Sequence, residues 1–366
     1  MIDNDKISGT QLWIFIVLTV IGVGVFSLPR QAAEAADQDG WVVIILAGLV
    51  SILNYYVISR LAKRFPEYTL VEIMKNVAGK YIGYIMVFIV WLYIILVGAM
   101  SLRIAGEVVK MSLLLKTPAE IIIITLLLPI MWLARGGVEP ITRFFEIVFP
   151  IFAITLTFII IFALPMTDFS NILPILRSSP SKLFTGIFKV MYSFSGYEFV
   201  MLIIPFIRNP KNIFKPGLIA LSIVTVVYTV LVILSLGKFG IIDVKLLIWP
   251  TLSMIRSIEV PGSFVERLEG VVMSQWILLA FTTLAPLAYG LAVIMSRAFG
   301  HKEFKHFCTF VIPPLYLISL FPNNIVEAYK YLDYITSYLG TLSMFLFPIT
   351  LLIVSSIRKV GKRTNG

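Results

Sequence analysis

Two short stretches of this chain carry residue types that could hold a small polar molecule. In Ile21-Gly22-Val23-Gly24-Val25-Phe26-Ser27-Leu28-Pro29, two glycines and a proline fall within eight residues. Glycine weakens a helix, and Pro29 has no N–H to give to the carbonyl one turn back, that of Val25. Further on, Ser193-Phe194-Ser195-Gly196-Tyr197-Glu198 gathers two hydroxyls, a glycine and a carboxylate. A helix that opens frees N–H groups that can face an anion and carbonyls that can face a cation, a pairing that suits an amino-acid zwitterion. Gly22, Val23 and Gly24 would offer N–H groups to a carboxylate, and carbonyls around Ile21, Phe194 and Ser195 would receive an ammonium. The plainer alternative is that the glycines only permit close helix packing and Pro29 only kinks its helix.

The elements that must position these residues lie in a strongly apolar chain. Of 366 residues, 59% are hydrophobic and only 14% charged, against about 25% charged in soluble domains. With a mean hydropathy of +0.96, the solvent is a bilayer, and both disorder and a soluble enzyme are excluded. One Cys rules out a disulfide framework, and two His rule out most multi-histidine metal sites.

A helix needs roughly 20 apolar residues to cross the hydrocarbon. Ten stretches qualify: Thr10 to Ala36, Trp41 to Ala62, Tyr81 to Leu102, Ala119 to Ala134, Thr142 to Leu164, Leu183 to Phe206, Pro216 to Leu236, Val265 to Met295, Phe304 to Phe321 and Tyr331 to Ile357. The expected architecture is an all-α integral membrane protein, one domain over residues 1–366. Its two repeats of five spans would cover about 10–164 and 183–357, with spans one and six broken. Matched interruptions in two halves are the sequence mark of an inverted-repeat binding site at the bilayer midplane.

Ten spans put both chain ends on one side. With the N-terminus inside, the inner segments hold 18 Lys and Arg and the outer segments 10, so both ends are read as cytoplasmic. The net charge of +10 is then mostly a loop bias toward anionic lipid, not a nucleic-acid footprint. Residues 12 to 28 followed by Ala33-Glu34-Ala35 imitate a signal peptide, but Asp3 and Asp5 precede them with only Lys6, and the helix is read as retained. In the longest outer connection, Leu247-Ile248-Trp249-Pro250 with Met254, Ile255 and Ile258 reads as an amphipathic helix lying on the membrane surface.

Charge inside a span is costly unless paired or wet, which singles out Glu198 as a site or gating residue or as a cap for freed N–H groups. Arg30 and Glu34 stand four apart and can pair on one helix face. Lys189 can snorkel and receives no role, and Glu146 and Glu269 lie at span ends. His301 and His306 share a loop with Lys302 and Lys305 and read as a basic, lipid-facing segment, with no metal spacing. No phosphate loop, zinc-protease helix or serine elbow is present, so catalysis has no candidate residue.

The run from Ile21 to Phe26 followed by Pro29 resembles the first-helix motif of the amino acid, polyamine and organocation transporter superfamily. More narrowly, Leu28-Pro29-Arg30, Gly40-Trp41, Ser195-Gly196-Tyr197-Glu198, Val244-Lys245-Leu246-Leu247-Ile248-Trp249-Pro250-Thr251, Glu266-Arg267 and Phe281-Thr282-Thr283 resemble the B subunit of spore germinant receptors, over essentially the whole chain. The resemblance implies a nutrient sensor in the spore inner membrane, assembled with A and C partner subunits, that binds a small ligand such as an amino acid. The rival within the same fold is an amino acid permease. Thr282 and Thr283 resemble the hydroxyl pair that sodium-coupled relatives set against the first-helix break, although Thr often bonds its own helix. Sodium-independent relatives use a lysine in the fifth helix, and this span has none, so the coupling ion stays open and no other cofactor is expected. On this reading Val97, Gly98 and Ser101 of helix three, with Thr282 and Thr283 of helix eight and Gly196 at the break, shape the pocket.

Overall fold

The computed structural model describes residues 6–258 and 268–361. Helix α1 (Gly9–Ile21) starts on a reciprocal cap, with Ser8 Oγ accepting the Gln11 N–H at 3.1 Å and Gln11 Oε1 accepting the Ser8 N–H at 2.9 Å. It ends at Gly22, a tight turn covers Val23–Phe26, and α2 (Leu28–Ala36) resumes with Pro29 in its first turn, where helices tolerate proline best. The first span is therefore broken where its glycines and proline predict.

Spans two to five are α3 (Gly40–Arg64), α5 (Lys80–Ser112), α6 (Ala119–Gly136) and α7 (Val138–Ala163), with the short α4 (Leu70–Ala78) between α3 and α5. The sixth span is α8 (Pro180–Val190), two tight turns around Ser195 and Gly196, and α9 (Val200–Ile203), its two halves bent by 55°. After it come α10 (Phe214–Leu246), α11 (Pro250–Arg256), α12 (described from Leu268 to Ala298) and α13 (Lys305–Ser319). The last span joins α14 (Ile325–Ile335), a π-helical stretch over Thr336–Leu346 and α15 (Phe347–Ile357).

Seven of these helical runs are long and apolar enough to cross a membrane, and the bent pair makes eight. The other expected spans are present as helices too: α1 completes the broken first span and α13 stands for the ninth with 15 residues. Lys6 and Gly361 line one cavity, so the described chain ends share a face, as an even number of crossings requires. The broken first span sits centrally, with α1 against α10, α7 and α12 and α2 against α8, α10 and α3.

Three features differ from the sequence reading. Helix α10 continues past Leu236 to Leu246, bending at Gly240 with φ +71°. Helix α11 does not lie on the membrane surface: Thr251, Leu252, Met254 and Ile255 are all buried. An apolar helix with a flanking Trp looks the same whether it meets lipid or protein, and here polar bonds anchor it inside. Thr251 Oγ1 donates to the Val25 carbonyl at 3.1 Å and Trp249 Nε1 donates to Tyr329 Oη at 3.1 Å. Helix α4 was not anticipated, although Thr69 and Glu72 three residues on form its reciprocal cap. Val265, Glu266 and Arg267, from the eighth-span boundary and the family motif, lie outside the described residues, as does the side chain of Glu269.

Candidate functional site

In hydrocarbon every freed backbone group must find a partner, because each one left unpaired costs several kcal/mol. Carbonyls at the end of α1 and in the first break are met by hydroxyls from three other elements. The Thr282 hydroxyl is shared between the Leu279 carbonyl of its own helix at 2.8 Å and the Leu18 carbonyl at 2.9 Å, and Thr283 Oγ1 donates to the Thr19 carbonyl at 3.2 Å. Tyr228 Oη lies 2.9 Å from the Val20 carbonyl and 3.0 Å from the Ser193 carbonyl, which belongs to the other break. Thr251 takes Val25, the carbonyl that Pro29 orphans. Tyr228 is the one side chain among these that binds both broken helices, and its ring packs edge-on to Phe194 at 5.4 Å.

That arrangement makes a prediction. Tyr228→Phe removes the single hydroxyl proton that two buried carbonyls share, a loss of about 1–3 kcal/mol. The midpoint of thermal unfolding in detergent should fall clearly; an unchanged midpoint would show that Tyr228 does not clamp the breaks.

Between the two breaks lies a cavity of about 40 Å³. Gly24, Thr19 and Val20 wall it from the first span, and Ser193, Ser195, Gly196 and Phe199 from the sixth. Tyr93, Val97 and Ser101 from α5 and Thr283 and Leu287 from α12 complete it, with Tyr192 at its edge. At the sixth-span break Gly196 has φ +129°, a conformation open to glycine and not to side-chain-bearing residues. Ser195 Oγ donates to Glu198 Oε1 at 2.7 Å and the Gly196 N–H donates to Glu198 Oε2 at 2.7 Å. Glu198 is 8% exposed and thus faces the bundle, capping its own break.

Of the residues read from the sequence, the fold brings Gly24, Val97, Ser101, Ser195, Gly196 and Thr283 to this cavity. Ile21, Phe194 and Thr282 are buried beside it without lining it. Gly22 serves close packing: a methyl on its Cα would stand 1.4 Å from Thr283 Oγ1. Gly98 faces away, toward Leu315 on α13, and lines a separate cavity of about 10 Å³. For Val23 the backbone turn is described but not the side chain. Glu198 stands one layer behind the wall. Tyr93 and Leu287 were missed, although each is four residues from a residue that was named, Val97 and Thr283, and so shares its helix face.

A second cavity of about 380 Å³ opens on the face away from the chain ends, lined by Gln31, Glu34, Lys189, Asp333 and Tyr192. Tyr192 borders both cavities, and Ser193 Oγ bonds Gln31 Oε1 at 2.9 Å across the gap. These contacts lie between the two cavities. Arg30 and Glu34 pair locally at 2.8 Å. A buried pair not foreseen, Arg103 with Glu107 at 2.8 Å, sits higher on α5. On the face of the chain ends, a vestibule of about 1050 Å³ is ringed by Lys6, Arg60, Lys63, Arg64, Arg208 and Lys211.

Broken first and sixth spans around a central cavity define a multi-pass helical membrane protein of the five-plus-five inverted-repeat class. The fold superposes with a TM-score of 0.69 on the crystal structure of MhsT in complex with L-phenylalanine, at 12% identity, over 97% of this chain and 89% of that one. The family model described as spore germination protein, the spore permease family, matches residues 6–328. The chain belongs to that family, and it is a permease-like subunit of the germinant-receptor type. It is 29% identical to spore germination protein YndE of Bacillus subtilis (strain 168), over 98% of this chain and 99% of the relative. It is 28% identical to spore germination protein B2 of the same organism, over 96% and 94%. With spore germination protein GerQB of Bacillus cereus it shares 30% identity over 85% of each.

Proposed function

We propose that the protein senses a small nutrient, an amino acid with a small apolar side chain, at the cavity between the two breaks, and that partner subunits of A and C type read the change in packing. The observation that carries this reading is the cavity itself, lined by the hydroxyl residues Ser101, Ser193 and Ser195 together with the apolar Val20, Val97 and Leu287. Val23 and Gly24 offer N–H groups to the ligand carboxylate, and the region of Ser195 receives its ammonium; the Gly22 N–H, expected to join them, is instead held by the Leu18 carbonyl at 3.4 Å as the cap of α1. The L-phenylalanine bound to MhsT supports an amino acid in the equivalent fold. The relatives' names support a place in the spore inner membrane, and the Lys and Arg count supports cytoplasmic chain ends. The hydroxyls of Thr282 and Thr283 already serve the carbonyls of Leu18 and Thr19, which favours a helix-to-helix tie over a sodium site.

A cavity of this kind also serves a permease, so flux is the second reading. Spores lacking the gene should lose germination toward one class of amino acid while growing cells keep normal uptake. Normal germination across a panel of amino acids and sugars, with uptake lost, would overturn the receptor reading.

A further inference from the structure

Glu198 is the buried charge that the sensing geometry leaves without a counter-ion. Among the described residues it forms no ion pair. Its titratable neighbours are three tyrosines, which carry no charge in their protonated form: Tyr93 on α5, and Tyr192 and Tyr197 on its own broken span. No cation offsets a carboxylate there, so the neutral acid and the ion compete in energy within the bundle.

The carboxyl is also wired. Tyr93 Oη lies 3.0 Å from Ser195 Oγ, and Ser195 Oγ lies 2.7 Å from Glu198 Oε1. Both hydroxyls line the central cavity. On its far side Glu198 borders a separate cavity of about 10 Å³ together with Ser343 and with Leu70 of α4. That is close to the volume that one water requires. Ser343 Oγ is buried with no hydrogen-bond partner, and a buried hydroxyl in that state points to a polar guest beside it.

We propose that Glu198 is a proton-binding site linked to ligand occupancy, reached from the cavity through the hydroxyls of Tyr93 and Ser195. For uptake, a cavity proton passes to Tyr93, the Tyr93 proton to Ser195, and the Ser195 proton to Glu198 Oε1. Each hydroxyl ends with the proton count it began with, and the net change is one proton on the carboxylate. Release runs the same chain in reverse after the hydroxyls turn. A ligand ammonium near Ser195 favours the ionised carboxylate, so binding expels the proton. The identity of the expelling ligand rests on the proposed function; the proton site does not.

The test uses the full chain purified in detergent, first without ligand. Infrared difference spectra across a pH series should show the C=O stretch of a protonated carboxylic acid that disappears as pH rises, and Glu198→Gln should lack it. Ser195→Ala keeps the carboxyl but cuts the relay, so the band should respond to a pH jump at least tenfold more slowly. Titration calorimetry with L-alanine and with L-valine, in buffers of different ionisation heat, then counts protons released. Wild-type affinity should rise about tenfold per pH unit below the carboxyl's titration and stay flat in Glu198→Gln. Identical infrared spectra for wild type and Glu198→Gln would overturn the proton site, and ligand binding with no pH dependence would overturn its link to occupancy. An unchanged pH-jump rate in Ser195→Ala would overturn the relay. A clear Glu198 band with no heat from either amino acid would sink the ligand reading and leave the proton site standing.

Discussion

Gly22→Ala is expected to unseat the first helix from α12 and to remove most of the protein from the membrane. The new methyl carbon would lie 1.4 Å from Thr283 Oγ1 and 2.7 Å from Thr283 Cβ. Thr283 has little freedom to yield, because its hydroxyl donates to the Thr19 carbonyl at 3.2 Å. Overpacking of this kind costs about 1–3 kcal/mol or more, and the lost hydrogen bond adds about 1 kcal/mol. Gly24 two residues on behaves differently, since nothing lies within 4 Å of the position its Cβ would take. Gly24→Ala should leave abundance normal, whereas Gly24→Leu should fill the cavity and abolish the nutrient response at normal abundance. Immunoblots of spore membranes and germination assays read both quantities. The double variant Gly22→Ala with Thr283→Gly should recover abundance, and no recovery would show that the crowding at Thr283 is not the cause.

Gly196→Ala should be nearly as damaging, for a different reason. A side chain at φ +129° is strained by about 1–3 kcal/mol whatever surrounds it. Its Cβ would also press to 3.0 Å from Thr19 Cγ2 and 3.1 Å from the Thr19 backbone carbon, so the two broken helices could not approach as they do. Gly79→Ala is the control, with φ +86° but open space around it. Both variants should lower the unfolding midpoint in detergent, and Gly196→Ala by distinctly more. If the two midpoints shift equally, the contact between the breaks contributes nothing beyond strain.

The breaks themselves were legible because glycine, proline and serine act on the backbone where they stand. Pro29 announces that Val25 loses a donor, and no reading of neighbours is needed. Who supplies the replacement was not legible. Tyr228 and Thr251 are each roughly two hundred positions from the carbonyls of Val20 and Val25, and their spacing within their own helices is unremarkable. Helix α11 was misread for a related reason: its apolar residues say that it is buried, and composition does not distinguish lipid from protein as the cover. Tyr93 was within reach, since helical spacing from Val97 and Ser101 puts it on the same face of α5. Glu198 could be assigned to the bundle interior from cost alone, but its hydroxyl relay depends on α5 meeting the sixth span.

The central cavity, at about 40 Å³, holds little more than one water's share of liquid, roughly 30 Å³. On the proposed function an amino acid would bind only to molecules that have swung open, and its apparent dissociation constant would be the intrinsic one divided by the open fraction. If the closed form dominates a hundredfold, the nutrient must be about a hundred times more concentrated to half-fill the site. On that reading a dormant cell would gain from the ratio: traces of food would leave it asleep, and the waking threshold would be retuned by residues that bias opening, without touching the ligand at all.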